Sequence, residues 1–500
     1  MARSETAAPP APETSRRGLS PGVARLIRFA IPVALGVVLW FIPPPAGIGE
    51  FAAEGYENTG TQPWHLLAIF VATILAIILK PLPMGALCMI GMAVVATTGT
   101  LSISDTLSGF GNTTIWLIVM AFFISRGVIK TGLGTRIALF FVSRLGKRTL
   151  GLSYGLAMTD LVLAPATPSN TARAGGIIMP ILKSISLTYD SEPNSPSAKR
   201  VGAYLTQTAF LVNCVTSAMF LTAMAANPLA AELAGQQGVT ISWGQWALAA
   251  SVPGLVSLVV IPLLMYRVFG PELKETPQAA AAARTQLDEL GSLTRHEWIM
   301  AGTIVLLLLL WTLGGPLFDM SATTVAMIGL SVLLLVGVLT WEDVKTETQA
   351  WDTLVWFAAL VMMATFLNTL GLIPWLSDRM STLVGDMNWI VAFVVLTLVY
   401  YFSHYLFASN TAHVSAMYAA FLATAIAAGA PPLFSALVFG FISSLFATLT
   451  HYSSGPAPVL FGVGYVPLGA WWRNGLIAAV ALIALWTTIG GGWMKLLGMW

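Results

Sequence analysis

Charge is scarce in this chain of 500 residues: Asp, Glu, Lys and Arg together make up 9%, against about 25% in ordinary soluble domains. That scarcity excludes a water-soluble globular protein. Cysteine is scarcer still, and Cys88 and Cys214 both lie in apolar stretches. Neither a disulfide framework nor a thiolate metal cluster is expected from two such residues. The sequence has no GxxxxGK(S/T) phosphate loop, no HExxH and no CxxC pair, and Ser453-Ser454-Gly455 does not form a nucleophile elbow. A membrane-embedded enzyme would have only His413 and His451 as midplane bases, so no enzymatic activity and no resident cofactor or metal is expected. A net charge of +2 gives no reason to expect a nucleic-acid partner.

What is abundant is apolar: 56% of residues are hydrophobic and the mean hydropathy is +0.79. The reading is an all-α polytopic membrane protein. Apolar runs near the length that spans about 30 Å of hydrocarbon fall at 26–44, 64–80, 84–98, 114–133, 201–230, 244–267, 297–315, 322–340, 353–371, 432–465 and 471–494, eleven in all. Two further apolar stretches, 150–183 and 387–426, are interrupted midway by polar turns and read as re-entrant hairpins. Segments 201–230 and 432–465 are over-long and interrupted too, by Thr216-Ser217 and by Thr450 to Pro456, so they read as helices broken near the bilayer centre. With the amino terminus in the cytoplasm, 21 of the 24 Lys and Arg residues fall on that side, as the positive-inside rule requires.

The two polar turns carry the chemistry. One reads Ser169-Asn170-Thr171-Ala172-Arg173, the other Ser409-Asn410-Thr411-Ala412-His413, and they lie 240 positions apart. The same offset pairs Asn112 with Asp352, Thr113 with Thr353 and Trp116 with Trp356, which signals a duplicated half-molecule. Five spans separate the hairpins, an odd number, so the hairpins enter from opposite sides and the repeats are inverted, with both tips near the midplane. The chain then divides into a disordered cytoplasmic tail (1–23), a first helix and outer loop (24–60), a first repeat (61–267) with hairpin 150–183, a cytoplasmic linker (268–296) and a second repeat (297–500) with hairpin 387–426.

A turn between two half-helices exposes free N–H groups at a helix start, an amide and two hydroxyls at one point. Two such points facing each other suit a small ligand with a carboxylate at each end. Arg173 and His413 stand two residues beyond each Thr. An intramembrane cation faces a ligand, water or a partner; for Arg173 that partner could be Asp160, and His413 could be a packing histidine. Asn112 and Asp352 read as helix caps.

With both Ser-Asn-Thr signatures complete, and Pro165-Ala166-Thr167-Pro168 leading into the first and Gly175-Gly176 closing it, residues 60–500 resemble the divalent anion/sodium symporter family. The wider string is similar to its exchanger branch of 2-oxoglutarate/malate translocators and citrate:succinate antiporters. The resemblance implies a homodimer with a scaffold and a mobile transport domain working as an elevator, in a bacterial inner membrane. It implies small di- or trianionic carboxylates bound by Asn170, Thr171, Asn410 and Thr411, with Ser169, Ser409, Arg173, His413 and the broken-helix residues Thr216, Ser217, Ser453 and Ser454 completing the site. Sodium-coupled members ligate sodium with the Ser-Asn residues, here Ser169, Asn170, Ser409 and Asn410. They carry small neutral residues where this chain has Arg173 and His413, and a Thr-Pro-Pro-Asn pattern in loops that here read Ala225-Ala226-Asn227-Pro228 and Ser454-Gly455-Pro456-Ala457. The reading is therefore a sodium-independent exchanger of di- and tricarboxylates; the alternative is a sodium-coupled dicarboxylate or sulfate symporter.

Overall fold

The computed structural model describes residues 21–384 and 388–500. The expected tail, 1–23, falls outside them except for its last three residues, which already belong to the first helix, Pro21–Phe41. Among the described residues the fold is helical, with one isolated antiparallel bridge between Arg148 and Glu275. Hydrocarbon offers no partner for a backbone N–H or C=O, so a chain this apolar satisfies its backbone within helices.

Nine helices among the described residues are long and apolar enough to cross a membrane, and eight of them coincide with expected spans. The ninth is Trp389–Leu406, the first arm of the second hairpin. Two other expected spans are short, Met84–Thr97 and Ala322–Leu335, 14 residues each. The expected span 201–230 is absent from the nine because its helix, Gly202–Met219, is rich in Thr, Ser, Asn and Gln. All 18 of its residues are buried; it runs through the centre of the protein and meets no lipid, which is why it tolerates them.

Both interrupted stretches are hairpins of the same build. The first rises as Thr149–Leu163, tightens to a 3-10 turn at Ala164–Ala166, runs extended through Thr167-Pro168-Ser169 and is helical again from Asn170 to Thr188, with a π-turn at Arg173–Ile178. The second repeats this with Trp389–Phe402, Ser403–Leu406, an extended Phe407-Ala408-Ser409, and helix from Asn410 to Ala427 with a π-turn at Val414–Tyr418. The breaks follow from side chains: Pro165 and Pro168 have no N–H to donate, and each serine caps the helix that follows. Ser169 Oγ accepts from the Ala172 N–H at 3.1 Å, and Ser409 Oγ from the Ala412 N–H at 3.4 Å.

Two further helices, Leu133–Leu145 and Leu372–Val384, lie outside every expected element. Each follows a glycine in the left-handed region, Gly132 (φ 77°) and Gly371 (φ 95°), immediately after Thr113–Thr131 and Thr348–Thr369. They extend the duplication to a pair of segments too amphipathic to register as spans. Asn112 caps Thr113–Thr131, its Oδ1 accepting from the N–H groups of Thr114 (2.9 Å) and Ile115 (3.2 Å). Asp352 caps nothing; it lies inside Thr348–Thr369, which begins five residues earlier than its repeat-mate.

The linker holds a helix, Pro277–Leu290, packed on Leu133–Leu145, and is laced to the root of the first hairpin. Thr149 N–H donates to Lys274 O at 3.0 Å, and Thr276 N–H donates to Lys147 O at 2.8 Å. Lys183, on the returning arm of the first hairpin, and Asn388, at the root of the second, are both exposed. Cysteines at these two positions should react with an impermeant thiol reagent from opposite faces of the membrane. Labelling of both from one face would contradict the inverted arrangement.

Candidate functional site

The two broken helices cross at the centre. One comprises Gly202–Met219 and Ala226–Gly235, the other Pro432–Leu445 and Pro456–Phe461. Ser444 Oγ donates to Cys214 O at 2.8 Å where they meet. The residues just before this contact hold the two turns in matching fashion. Asn213 Nδ2 reaches the carbonyl of Asn170 at 3.5 Å, and Asn410 Nδ2 donates to the carbonyl of Ser443 at 2.8 Å. Each turn is thus moored to the opposing broken helix of its own repeat.

Around the first turn the polar side chains form one buried network. Arg173 Nε donates to Asp160 Oδ1 at 3.0 Å. One terminal nitrogen donates to Thr167 O and Ala223 O, each at 2.6 Å, and the other to Ser217 Oγ at 2.8 Å. Four of the five guanidinium donors are committed. Asp160 in turn accepts from Asn213 Nδ2 (3.1 Å to Oδ2) and from the Thr216 hydroxyl. Asn227 Nδ2 donates to the carbonyls of Ser217 (2.7 Å) and Phe220 (2.9 Å) at the helix break.

This corrects the expected role of Arg173. Its side chain is fully buried and its charge is matched by Asp160, so it brings no net positive charge and offers no free donor array to a ligand. Asp160, thirteen residues before Arg173, stands directly beneath the turn. Thr216 and Ser217 are buried members of the same network, one donating to Asp160 and one accepting from Arg173, rather than ligand-facing hydroxyls.

The second turn rests on aromatic rings instead. His413 is buried between Tyr400, Phe407 and Phe446, with ring centroids 4.5–4.6 Å away. Its Nε2 lies 2.9 Å from Ser403 Oγ, whose hydrogen goes to Tyr400 O at 2.9 Å. Like Arg173, His413 backs its turn rather than lining it. Ser453 is buried, with its hydroxyl bound to Ala447 O and Thr450 O; Ser454 is buried as well, and its hydroxyl has no partner among the described residues.

What remains accessible is the crest of each turn. Ser169, Asn170, Thr171, Ser409 and Thr411 are partly exposed, and Asn410 is 7% exposed. Among the described residues the Asn170 amide N–H groups meet one acceptor, the weakly accepting Met224 Sδ at 4.0 Å, which a carboxylate would readily displace. The second broken loop reaches the first turn, since a Cβ on Gly455 would collide with Thr171 Oγ1. Among the described residues no three His, Cys, Asp or Glu side chains group as a metal site. Ser169 and Ser409 spend a lone pair each on capping, which leaves carbonyls, amides and hydroxyls as the only oxygens for a monovalent cation.

Residues 23–500 match the family described as the sodium:sulfate symporter transmembrane region. The chain is 57% identical over 477 residues to a putative malate transporter, YflS, of Bacillus subtilis, covering 95% of this chain and 97% of that protein. It is 47% identical to the chloroplast dicarboxylate transporter 1 of Spinacia oleracea, over 94% of this chain and 81% of that one. It is 35% identical to the citrate/succinate antiporter of Escherichia coli, over 94% and 97%. The crystal structure of the Alcanivorax borkumensis YdaH transporter superposes with a TM-score of 0.53 at 14% identity, covering 95% of this chain and 97% of that one, a likeness of fold.

Proposed function

Since the chain belongs to the sodium:sulfate symporter family, we propose that it moves small carboxylates across the membrane, by exchange of di- and tricarboxylates and without sodium. Carboxylate transport is what the names of its relatives describe. The observation that carries the sodium-independent reading is the setting of Arg173. Its guanidinium gathers Thr167 O from the turn, Ala223 O from the broken-helix loop, Ser217 Oγ and Asp160 Oδ1. Backbone carbonyls that face one another repel unless a cation stands between them. Here the chain supplies that cation itself, so the turn and the loop close without a mobile ion.

With Arg173 neutralised by Asp160, attraction for a dianion rests on donors: the first N–H groups of the helical runs from Asn170 and Asn410, the Asn170 and Asn410 amides, and the Thr171 and Thr411 hydroxyls. The same donors explain exchange. Carried empty through the membrane they would have neither water nor carboxylate, and each unsatisfied polar group costs about 1–3 kcal/mol. Loaded, they are satisfied in both directions. The site rides on the hairpins and broken helices, which form the mobile body of an elevator in a homodimer, with the amino terminus in the cytoplasm of a bacterial inner membrane.

Counterflow in proteoliposomes tests this. Labelled succinate, malate or citrate should enter vesicles preloaded with unlabelled dicarboxylate at equal rates in sodium, potassium or choline, and should not enter empty ones. Uptake that collapses without sodium and returns saturably with it would replace this reading by sodium-coupled symport.

A further inference from the structure

We propose that His404 is a positioning residue for both turns, the counterpart of Arg173 in the second repeat; the proposal rests on the transport reading above. The residue that the 240-position offset pairs with Arg173 is His413, yet among the described residues its Nε2 is directed at Ser403 and Met417 and it meets the second broken loop through the Phe446 ring, with no hydrogen bond to that loop. His404 makes one. It sits in the 3-10 turn Ser403–Leu406 at the crest of the rising arm, fully buried, with Nε2 2.8 Å from the carbonyl of Ser453. A carbonyl only accepts, so Nε2 carries the hydrogen and the tautomer is settled. The ring is held flat against Phe446, centroids 3.7 Å apart at 20°.

The geometry matches that of the first repeat part by part. Arg173 ties its hairpin to the broken-helix loop through Ala223 O; His404 ties its own hairpin to the broken-helix loop through Ser453 O. Beyond Ser453 the chain continues through Ser454 to Gly455, and there the loop leaves its own repeat. No side chain fits at Gly455, because Thr171 Oγ1 of the other turn occupies that space. A line of contacts therefore runs from His404 through Ser453 and Gly455 to the Thr171 hydroxyl. His404 sets the height of the loop against which Thr171 is pressed, and so fixes how the two turns present themselves to one ligand. The Nδ1 of His404 is buried and has no partner among the described residues, so the ring is held by a single hydrogen bond and its stack.

Three variants test the assignment. H404F keeps the ring and the stack but removes the donor; H404Q places a donor near Nε2; G455A leaves His404 intact and drives the loop off Thr171. Half-saturation for succinate in counterflow should rise about tenfold in H404F and in G455A, and H404Q should stay within about threefold of wild type. Combined with T171V, H404F should add little, since residues acting through one contact are non-additive. A second readout does not need transport: a cysteine at Ser454 should be protected from thiol reagents in wild type and H404Q, and should react in H404F. Wild-type counterflow is the control for the transport reading, so a failure of that reading is seen there and leaves the Ser454 readout standing. Equal half-saturation in H404F and wild type overturns the assignment. So does equal loss in H404Q and H404F, full additivity with T171V, or a Ser454 cysteine indifferent to His404.

Discussion

Replacing Arg173 with methionine should abolish carboxylate exchange and lower stability by about 3–5 kcal/mol, the cost of breaking a buried ion pair from one side. The cause is what remains behind. Asp160 is 2% exposed and would keep only Asn213 and Thr216 as donors, an uncompensated charge in the protein centre. Thr167 O and Ala223 O would also face each other with nothing between them. The double replacement D160N/R173M separates the two effects. It removes both charges, and neutral groups in place of a buried pair are often tolerated at no net cost, so melting should return toward wild type while exchange stays absent. Thermal melting of purified protein read beside counterflow checks both halves. Near-normal exchange by R173M would mean that closure of the turn on the loop is not needed for transport.

Alanine at Asn170 and at Asn410 should each reduce exchange by more than tenfold, a loss of at least about 1.4 kcal/mol, yet with different signatures. Among the described residues the Asn170 amide donates to the weak acceptor Met224 Sδ alone, at 4.0 Å, so N170A should melt like wild type and lose binding alone. Asn410 also donates to Ser443 O at 2.8 Å. N410A should therefore lose binding and, in addition, about 1–3 kcal/mol of stability from a buried carbonyl left without its donor. Substrate-induced thermal stabilisation together with counterflow separates these outcomes. Uptake near wild type in both variants would remove the two turns from the site. The comparison is informative because the turns are equivalent in sequence and unequal in mooring.

The twin Ser-Asn-Thr turns, their hairpins and their broken companions were legible before any coordinates, and so was the membrane class. The reason is that hydrocarbon imposes a rule on sequence itself. Backbone groups without water must be satisfied locally, so apolar run length reports helices and a polar interruption reports a break that some other part of the protein must cover. The duplication was equally open to reading, since 240 residues of offset survive as text whatever the fold does with them.

Partnership was not legible, because it depends on which way side chains point once helices pack. In the sequence Asp160 is one candidate partner for Arg173 beside a ligand or water; only the height of the turn above it places the carboxylate against the guanidinium. Gly202–Met219 looks too polar for its central position until burial on every side is known. Leu133–Leu145 and Leu372–Val384 are missed because an amphipathic helix of 13 residues is not a span. His404 stands at no mirrored position at all. The sequence alone determined the medium, the breaks and the polar crests, since each is a local property of chain and solvent. Tertiary structure alone decided which charge is cancelled, which histidine holds the loop and which donors stay free, since those depend on distances between segments far apart in the chain.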